Sequence, residues 1–360
     1  MMKQLFFGLA VAGLMACGSP ERETGLFTID MQTVLGEETP AQTLTAWNAN
    51  VEYVPLETND SALIKFVQQI LFDRDRFLVV HGGNTLSVFD RQGHFVRNIG
   101  RQGNGPGEYS SVFDVRLKGE EIYVRDYAPR VFVYDWKGRF LRSFEQPELA
   151  QNLFFAKGND MALAYVPNLT GESQTRFYLM KDGEVLDSIP NRELFPKAAF
   201  VMTFYPEFFP TQGNQLCGFT ELYSDTIYRV TDDLRILPYA ALRTGKYQPT
   251  KAERYGVDPG EVRNNPMKGK KPVIVLGEAG EQLYLFVYGG YDKTRFFCYD
   301  ERSGQVEALS LTYPANDFEF AEEARFVPNF LSADNQYLMD WEQPENEENP
   351  VIVLVKVNPK

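Results

Sequence analysis

Histidine and cysteine are nearly missing from this sequence. Two histidines, His81 and His94, and three cysteines, Cys17, Cys217 and Cys298, occur in 360 residues. Two imidazoles leave no room for a histidine-rich metal centre. Both fall at turn positions of the first repeat described below and read as exposed turn residues. Cys217 and Cys298 make no disulfide framework. Each sits in an apolar, strand-like run, where a buried free thiol is expected. Positive charge is also short: 36 Lys and Arg against 49 Asp and Glu give a net charge of −13. An acidic surface argues against nucleic acid as a partner and against electrostatic docking on anionic lipid. Catalytic signatures are missing too. There is no Gly-x-Ser-x-Gly, no His-Glu-x-x-His, no phosphate loop ending in Gly-Lys-Ser/Thr and no Asp-x-Asp-x-Asp-Gly calcium loop. No nucleophile therefore has a visible activating partner.

The long apolar run is confined to the N-terminus. Lys3 supplies a positive start and Leu5 to Met15 an apolar stretch too short to span a bilayer, so residues 1–16 read as a signal peptide. Leu14-Met-Ala-Cys17 resembles the lipobox of bacterial lipoproteins, in which the Cys is lipidated and becomes the new N-terminus. The resemblance implies lipidation at Cys17, the membrane as a partner through that lipid, and a cell-envelope location, periplasmic or at the outer-membrane surface. The mature chain would hold 344 residues (360 − 16) with a charge of −14 (35 − 49). Residues 17–40, opening with Gly18-Ser-Pro-Glu-Arg-Glu-Thr24, read as a polar tether, and residues 41–360 as one domain.

What the chain has in place of motifs is a repeat. Thr85-Leu-Ser-Val-Phe-Asp90 with Gly93 returns as Arg130-Val-Phe-Val-Tyr-Asp135 with Gly138, 45 residues on (135 − 90, 138 − 93). A third copy puts Gly183 the same distance beyond Gly138. A fixed period of this size, built from short alternating strands, is the signature of propeller blades. In the second blade Ile122, Val124, Val131 and Val133 alternate with polar residues, as a set facing one neighbour would. The step is lost after the third copy, where a polar insertion from Thr244 to Lys271 intervenes. Strand patterns still give five complete blades and a sixth short of one strand. Val51-Glu-Tyr-Val-Pro-Leu56 can supply it, because a ring of blades must leave no open edge. The expected fold is all-β: a six-bladed β-propeller of four-stranded antiparallel blades, closed by an N-terminal strand in the last blade.

The blade pattern Arg130 to Asp135 with Gly138, and the loop Gly100-Arg-Gln-Gly-Asn-Gly-Pro-Gly-Glu-Tyr109, resemble NHL-type repeats. Together with Tyr53-Val-Pro-Leu-Glu-Thr58, Asp225-Thr-Ile-Tyr228 and the closing strand Val351 to Val357, they make the chain similar to the six-bladed β-propeller lipoproteins of Bacteroidetes. The resemblance implies a fold and an envelope setting. It carries over no catalytic residues.

Candidate ligand contacts come from the residues themselves. Gly100 to Tyr109 links an outer strand to the next inner strand, near the mouth of a propeller's channel. There Arg101 could grip a carboxylate or phosphate, Glu108 accept hydrogen bonds and Tyr109 offer a stacking face. The same loop could instead bridge two blades, with Arg101 and Glu108 satisfying each other. Asp114 on an inner strand could line the channel, and Asp126 lies at a strand end. A ring of such carboxylates could hold Ca²⁺, although no cofactor or metal ligand set is evident. Tyr205, among Phe200, Phe204, Phe208 and Phe209, could join a platform for sugar rings or a partner protein, or these side chains could pack between blades. The reading is a membrane-tethered propeller that binds a protein or glycan ligand without evident catalysis. The alternative is a hydrolase or lyase dependent on a channel metal.

Overall fold

The repeated aspartate and glycine explain why the hairpins form. Asp90 ends the strand Thr85–Asp90, and its carboxylate accepts from the backbone N–H groups of Gln92 and His94, each at 2.9 Å. Asp135 accepts from Lys137 and Arg139 at the same distances, and Asp300 from Arg302 and Ser303 at 3.0 and 2.8 Å. A short acid that satisfies the turn's own N–H groups fixes each chain reversal. Gly93 then takes φ +88°. A Cβ there would lie 2.1 Å from the Pro55 carbonyl oxygen of the neighbouring blade, so the turn can dock only as glycine.

These hairpins build six blades around a central channel in the computed structural model, which describes residues 26–357 except 49, 148–149, 156–160, 169–170, 182, 193, 196–206, 210, 212–214, 221–223, 251–252, 254–268, 288–294, 315–317, 333 and 347. Each blade is antiparallel and counts its four strands from the channel outward. Blade one is Val67–Asp73, Arg76–His81, Thr85–Asp90 and Phe95–Asn98. Blade two is Asp114–Lys118, Glu121–Arg125, Arg130–Asp135 and Phe140–Glu145. Blade three is Leu153–Phe155, Met161–Tyr165, Thr175–Lys181 and Glu184–Pro190. Blade four is Glu207–Phe209, Gln215–Thr220, Thr226–Thr231 and Ile236–Arg243. Blade five is Val273–Ala279, Gln282–Val287, Phe296–Asp300 and Gln305–Thr312. Blade six is Phe330–Leu331, Tyr337–Glu342 and Val351–Lys356, with Val51–Pro55 as its outer strand. The N-terminal strand thus closes the last blade, as the sequence leads one to expect.

Both faces of each sheet are apolar, and the buried residues fall into clusters between successive blades. Leu78, Val80, Leu86 and Val88 of blade one pack on Ile122, Val124, Phe132 and Tyr134 of blade two. Tyr123, Val131 and Val133 face the other way, onto Leu153, Ala162 and Ala164 of blade three. The four residues expected on one face of blade two are therefore split between its two faces. Strand pairing sets this: Val131 and Val133 stand opposite Arg125 and Tyr123, not opposite Ile122 and Val124. The last cluster joins Val54, Met339, Ile352 and Leu354 of blade six to Ile70, Phe72, Phe77 and Val79 of blade one, and so shuts the ring.

Part of the segment 17–40, expected as a tether, is strand on the ring. Phe27–Asp30 adds a fifth strand to blade four, parallel to its outer strand, with Phe27 opposite Ala240 and Asp30 opposite Arg243. Ala41–Thr43 does the same on blade five against Ser310–Thr312. A one-turn helix, Leu44–Trp47, capped by the Thr43 hydroxyl, then leads into the closing strand of blade six. The N-terminal segment is a belt along three successive outer edges. Ile29, Met31, Leu35 and Leu44 on it are fully buried. Arg295 of blade five holds the crossing by donating to the carbonyls of Val34, Leu35 and Glu37 and to the Thr39 hydroxyl.

Candidate functional site

The loop Gly100 to Tyr109 turns out to be a bridge between blades one and two. Arg101 and Glu108 form a salt bridge with each other. Glu108 also accepts from Gly105 N–H at 2.9 Å, and this bond with the Arg101 pairing holds its carboxyl below the usual carboxylate range. Tyr109 is buried in the blade interface, and its hydroxyl donates to the carbonyls of Asn84 and Ile99 at 3.1 and 3.2 Å. The stacking face expected of Tyr109 is thus spent on packing in the cluster between blades one and two. Tyr134 donates to the Gly107 carbonyl at 2.8 Å and fixes the loop from below.

Asp126 also has a fixed task. It is buried and accepts from the Ser110 N–H and from the hydroxyls of Ser110 and Ser111 at 2.6–2.9 Å. Burial pushes its pKa up, but these hydrogen bonds outweigh it and hold the carboxyl ionised below its ordinary value. His81 is not an exposed turn residue but is buried at the end of its strand. Its Nε2 lies 2.9 Å from the Ser87 hydroxyl, and burial lowers its pKa. His94 is an exposed turn residue, paired with Asp90 at 3.0 Å. Cys217 and Cys298 are buried free thiols, and burial pushes Cys217 up to about 12. Tyr205 lies outside the described residues.

Asp114 is where the sequence places it, on the first position of an inner strand at the channel. The channel opens into a cavity of about 450 Å³. Gln68 and Gln69 line it from blade one, Asp114 and Arg116 from blade two, Asn152 from blade three and Asn329 from blade six. Phe113, Tyr127, Phe286 and Phe330 supply apolar wall. Because these residues lie where the inner strands begin, this cavity marks one face of the ring. A second chamber of about 240 Å³ lies toward the far ends of the same strands, lined by Leu117, Leu153, Phe154, Phe155 and Leu216. The two share Ile70, Leu71, Arg116, Phe208 and Leu331, which form the neck between them.

The neck carries the chemistry. Arg116 Nε donates to Asp114 Oδ2 at 2.8 Å, and these two are the only charged residues among the described lining of both cavities. The Arg116 guanidinium lies 5.1 Å from the Phe154 ring centre, and Phe154 stacks on Phe208 at 3.7 Å. The terminal nitrogens of Arg116 have no hydrogen-bond partner among the described residues. Asn152 Oδ1 is buried with none either. At the rim, Tyr127 is 69 % exposed, meets Phe113 edge-on at 5.1 Å, and Arg125 lies over Phe113 at 4.5 Å. Phe208 and Phe209 are packed into the ring, Phe209 fully buried. No group of three or more His, Cys, Asp or Glu among the described residues is placed to hold a metal ion.

Sequence reasoning missed Arg116, Asn152 and Tyr127. Asp114-Val-Arg-Leu-Lys118 does alternate charged and apolar residues, which is unusual for a strand at the centre of a ring. That was the available signal.

A family model described as "Domain of unknown function (DUF4934)" matches residues 26–356. The chain belongs to this family. Its match begins where the belt begins, so the family domain includes the belt as well as the blades. No curated protein matches the sequence. Among solved structures, a Bacteroides fragilis protein provisionally named as exported is similar, with a TM-score of 0.67 at 17 % identity, over 92 % of this chain and 99 % of that one. A DUF4221 family member from Bacteroides vulgatus is similar with a TM-score of 0.52 at 12 % identity, over 85 % and 98 %. At such identities the likeness shows the propeller fold alone.

Proposed function

We propose that this DUF4934 protein is a lipid-anchored binding module of the bacterial envelope that takes its ligand through the open mouth of the channel. The observation that carries the reading is the channel cavity, where Arg116 at the neck keeps terminal nitrogens with no partner among the described residues and Asn152 on the wall keeps a buried Oδ1 with none. A concave, mostly apolar site with a few convergent polar groups is the usual form of a ligand pocket. Unpaired buried polar atoms cost stability unless something satisfies them. The exposed Tyr127 at the rim gives a sugar ring or a protein side chain a first contact.

The anchor reading rests on the apolar run before Cys17 and on strand direction. The larger cavity lies where inner strands begin, so fourth strands, which run the opposite way, end on that face. Phe27–Asp30 runs parallel to the fourth strand of blade four and therefore starts on the opposite face. A tether entering there from Cys17 puts the lipid behind the ring and turns the mouth away from the membrane. The test is Cys17→Ser in the full-length protein. The expected result is release from the membrane fraction with the fold intact. Retention at the membrane would remove the lipid anchor from the reading. Binding is tested by screening glycans and short peptides against wild type and Arg116→Met. A ligand indifferent to that substitution places binding away from the neck.

A further inference from the structure

The neck and the wall of the larger cavity beside it offer three kinds of contact. The terminal nitrogens of Arg116 are donors of fixed positive charge with no partner among the described residues. Asp114 uses one carboxylate oxygen on Arg116 Nε, leaving Oδ1 as an anionic acceptor. Asn152 Oδ1 is a buried acceptor with no partner. Directly behind them lies the chamber of about 240 Å³ lined by Leu117, Leu153, Phe154 and Leu216. A cavity of roughly 150 Å³ is enough to hold a benzene ring. A ligand that answers all three needs an anionic group, a cationic donor close to it, and one apolar side chain.

We propose that the neck binds a free α-amino acid with an aromatic or large aliphatic side chain. This deepens the channel-ligand reading and rests on it. The ligand carboxylate sits on the terminal nitrogens of Arg116, which present paired donors suited to a planar anion. Its ammonium group donates to Asp114 Oδ1 and Asn152 Oδ1. Its side chain enters the chamber against Phe154 and Phe208. The arrangement explains why Asp114 and Arg116 lie side by side: an ion pair with one open edge on each partner is complementary to a zwitterion, and neither charge is left buried alone when the ligand leaves. It also explains why the remaining chamber wall is apolar.

Calorimetric titration of the full-length protein with L-phenylalanine tests this, beside 3-phenylpropionate, phenethylamine and L-alanine. These lack the ammonium, the carboxylate and the ring, respectively. The expected result is one site per chain for L-phenylalanine, with each analogue about 10-fold or more weaker, as for loss of a charge-assisted hydrogen bond or a buried ring. Arg116→Met should bring L-phenylalanine down to the level of phenethylamine. Asn152→Leu should weaken L-phenylalanine and leave 3-phenylpropionate unchanged. L-Phenylalanine failing to bind, or binding no better than its analogues, overturns the proposal. So does an affinity unchanged within about 2-fold by Arg116→Met. Hydrogen exchange separates this failure from failure of the channel reading. A different ligand that protects the inner strands leaves the channel reading standing and the amino acid wrong. Ligands that protect only another face defeat both.

Discussion

Single side chains hold this ring at a few places, and Asn349 is the clearest. It is buried where the closing strand passes into blade one. Its Nδ2 donates to the carbonyls of Glu57 and Ala62, and its Oδ1 accepts from Ile64 N–H at 2.8 Å. Asn349→Ala leaves three backbone groups unpaired, with an expected loss of about 2–4 kcal/mol in urea denaturation. A loss below about 0.5 kcal/mol would show that water replaces the side chain there. Asp340 makes a pH prediction. It is buried between blades five and six, and burial pushes its pKa up to about 7, although Val327 N–H, Trp341 N–H and Asn329 Nδ2 donate to it. Tyr313 also donates to it, at 3.3 Å, and nearby Glu342 raises its pKa further. The folded state therefore binds this proton more tightly than the unfolded state does. Stability from this group is present at low pH and is lost as pH rises from about 4 to about 7. Asp340→Asn should flatten that part of the profile, measured as unfolding free energy against pH. An unchanged slope would show that Asp340 stays ionised throughout.

At the scale of elements, the belt is the part the sequence hid. The strands inside the ring were legible because Asp90, Asp135 and their glycines recur at one spacing, and Val51 to Leu56 was legible because the sixth blade needed a strand. Phe27-Thr-Ile-Asp30 has the same alternation, but it follows a polar run and repeats nothing. A fifth strand on a blade that already has four is not required by counting. The belt matters to stability all the same. Met31 is fully buried beneath the crossing from blade four to blade five. Met31→Ala should cost about 2–5 kcal/mol. It should also speed amide exchange in Ile236–Arg243 and Gln305–Thr312 more than in the outer strands of blades one to three. Equal exchange across all six outer strands would show that the belt only decorates the ring. The candidate loop at Gly100 to Tyr109 shows a different limit. Its residue types suit a binding loop and a bridge equally, and only the burial of Tyr109 and the pairing of Arg101 with Glu108 decide between them.

At the scale of the molecule, six interfaces of the same kind enclose a channel whose polar atoms are not all used. The fold was readable because repetition and closure are properties of the chain. The site was only half readable. Asp114 could be placed at the channel from its strand, and Arg116 two residues on shares its face, but the presence of Asn152 on the same cavity wall depends on how blades two and three are rotated about the axis. No local pattern encodes that angle. Closure itself is testable: removing Val51–Pro55 exposes the edge of Val351–Lys356 and should give an aggregating product, seen by light scattering. A soluble, equally stable product would contradict the closure. The most direct test of the account is a crystal structure of the full-length protein grown with L-phenylalanine. The expected result is the ring between Leu153, Phe154 and Phe208 with its carboxylate on Arg116. An empty neck, or the ligand bound elsewhere on the ring, would contradict it.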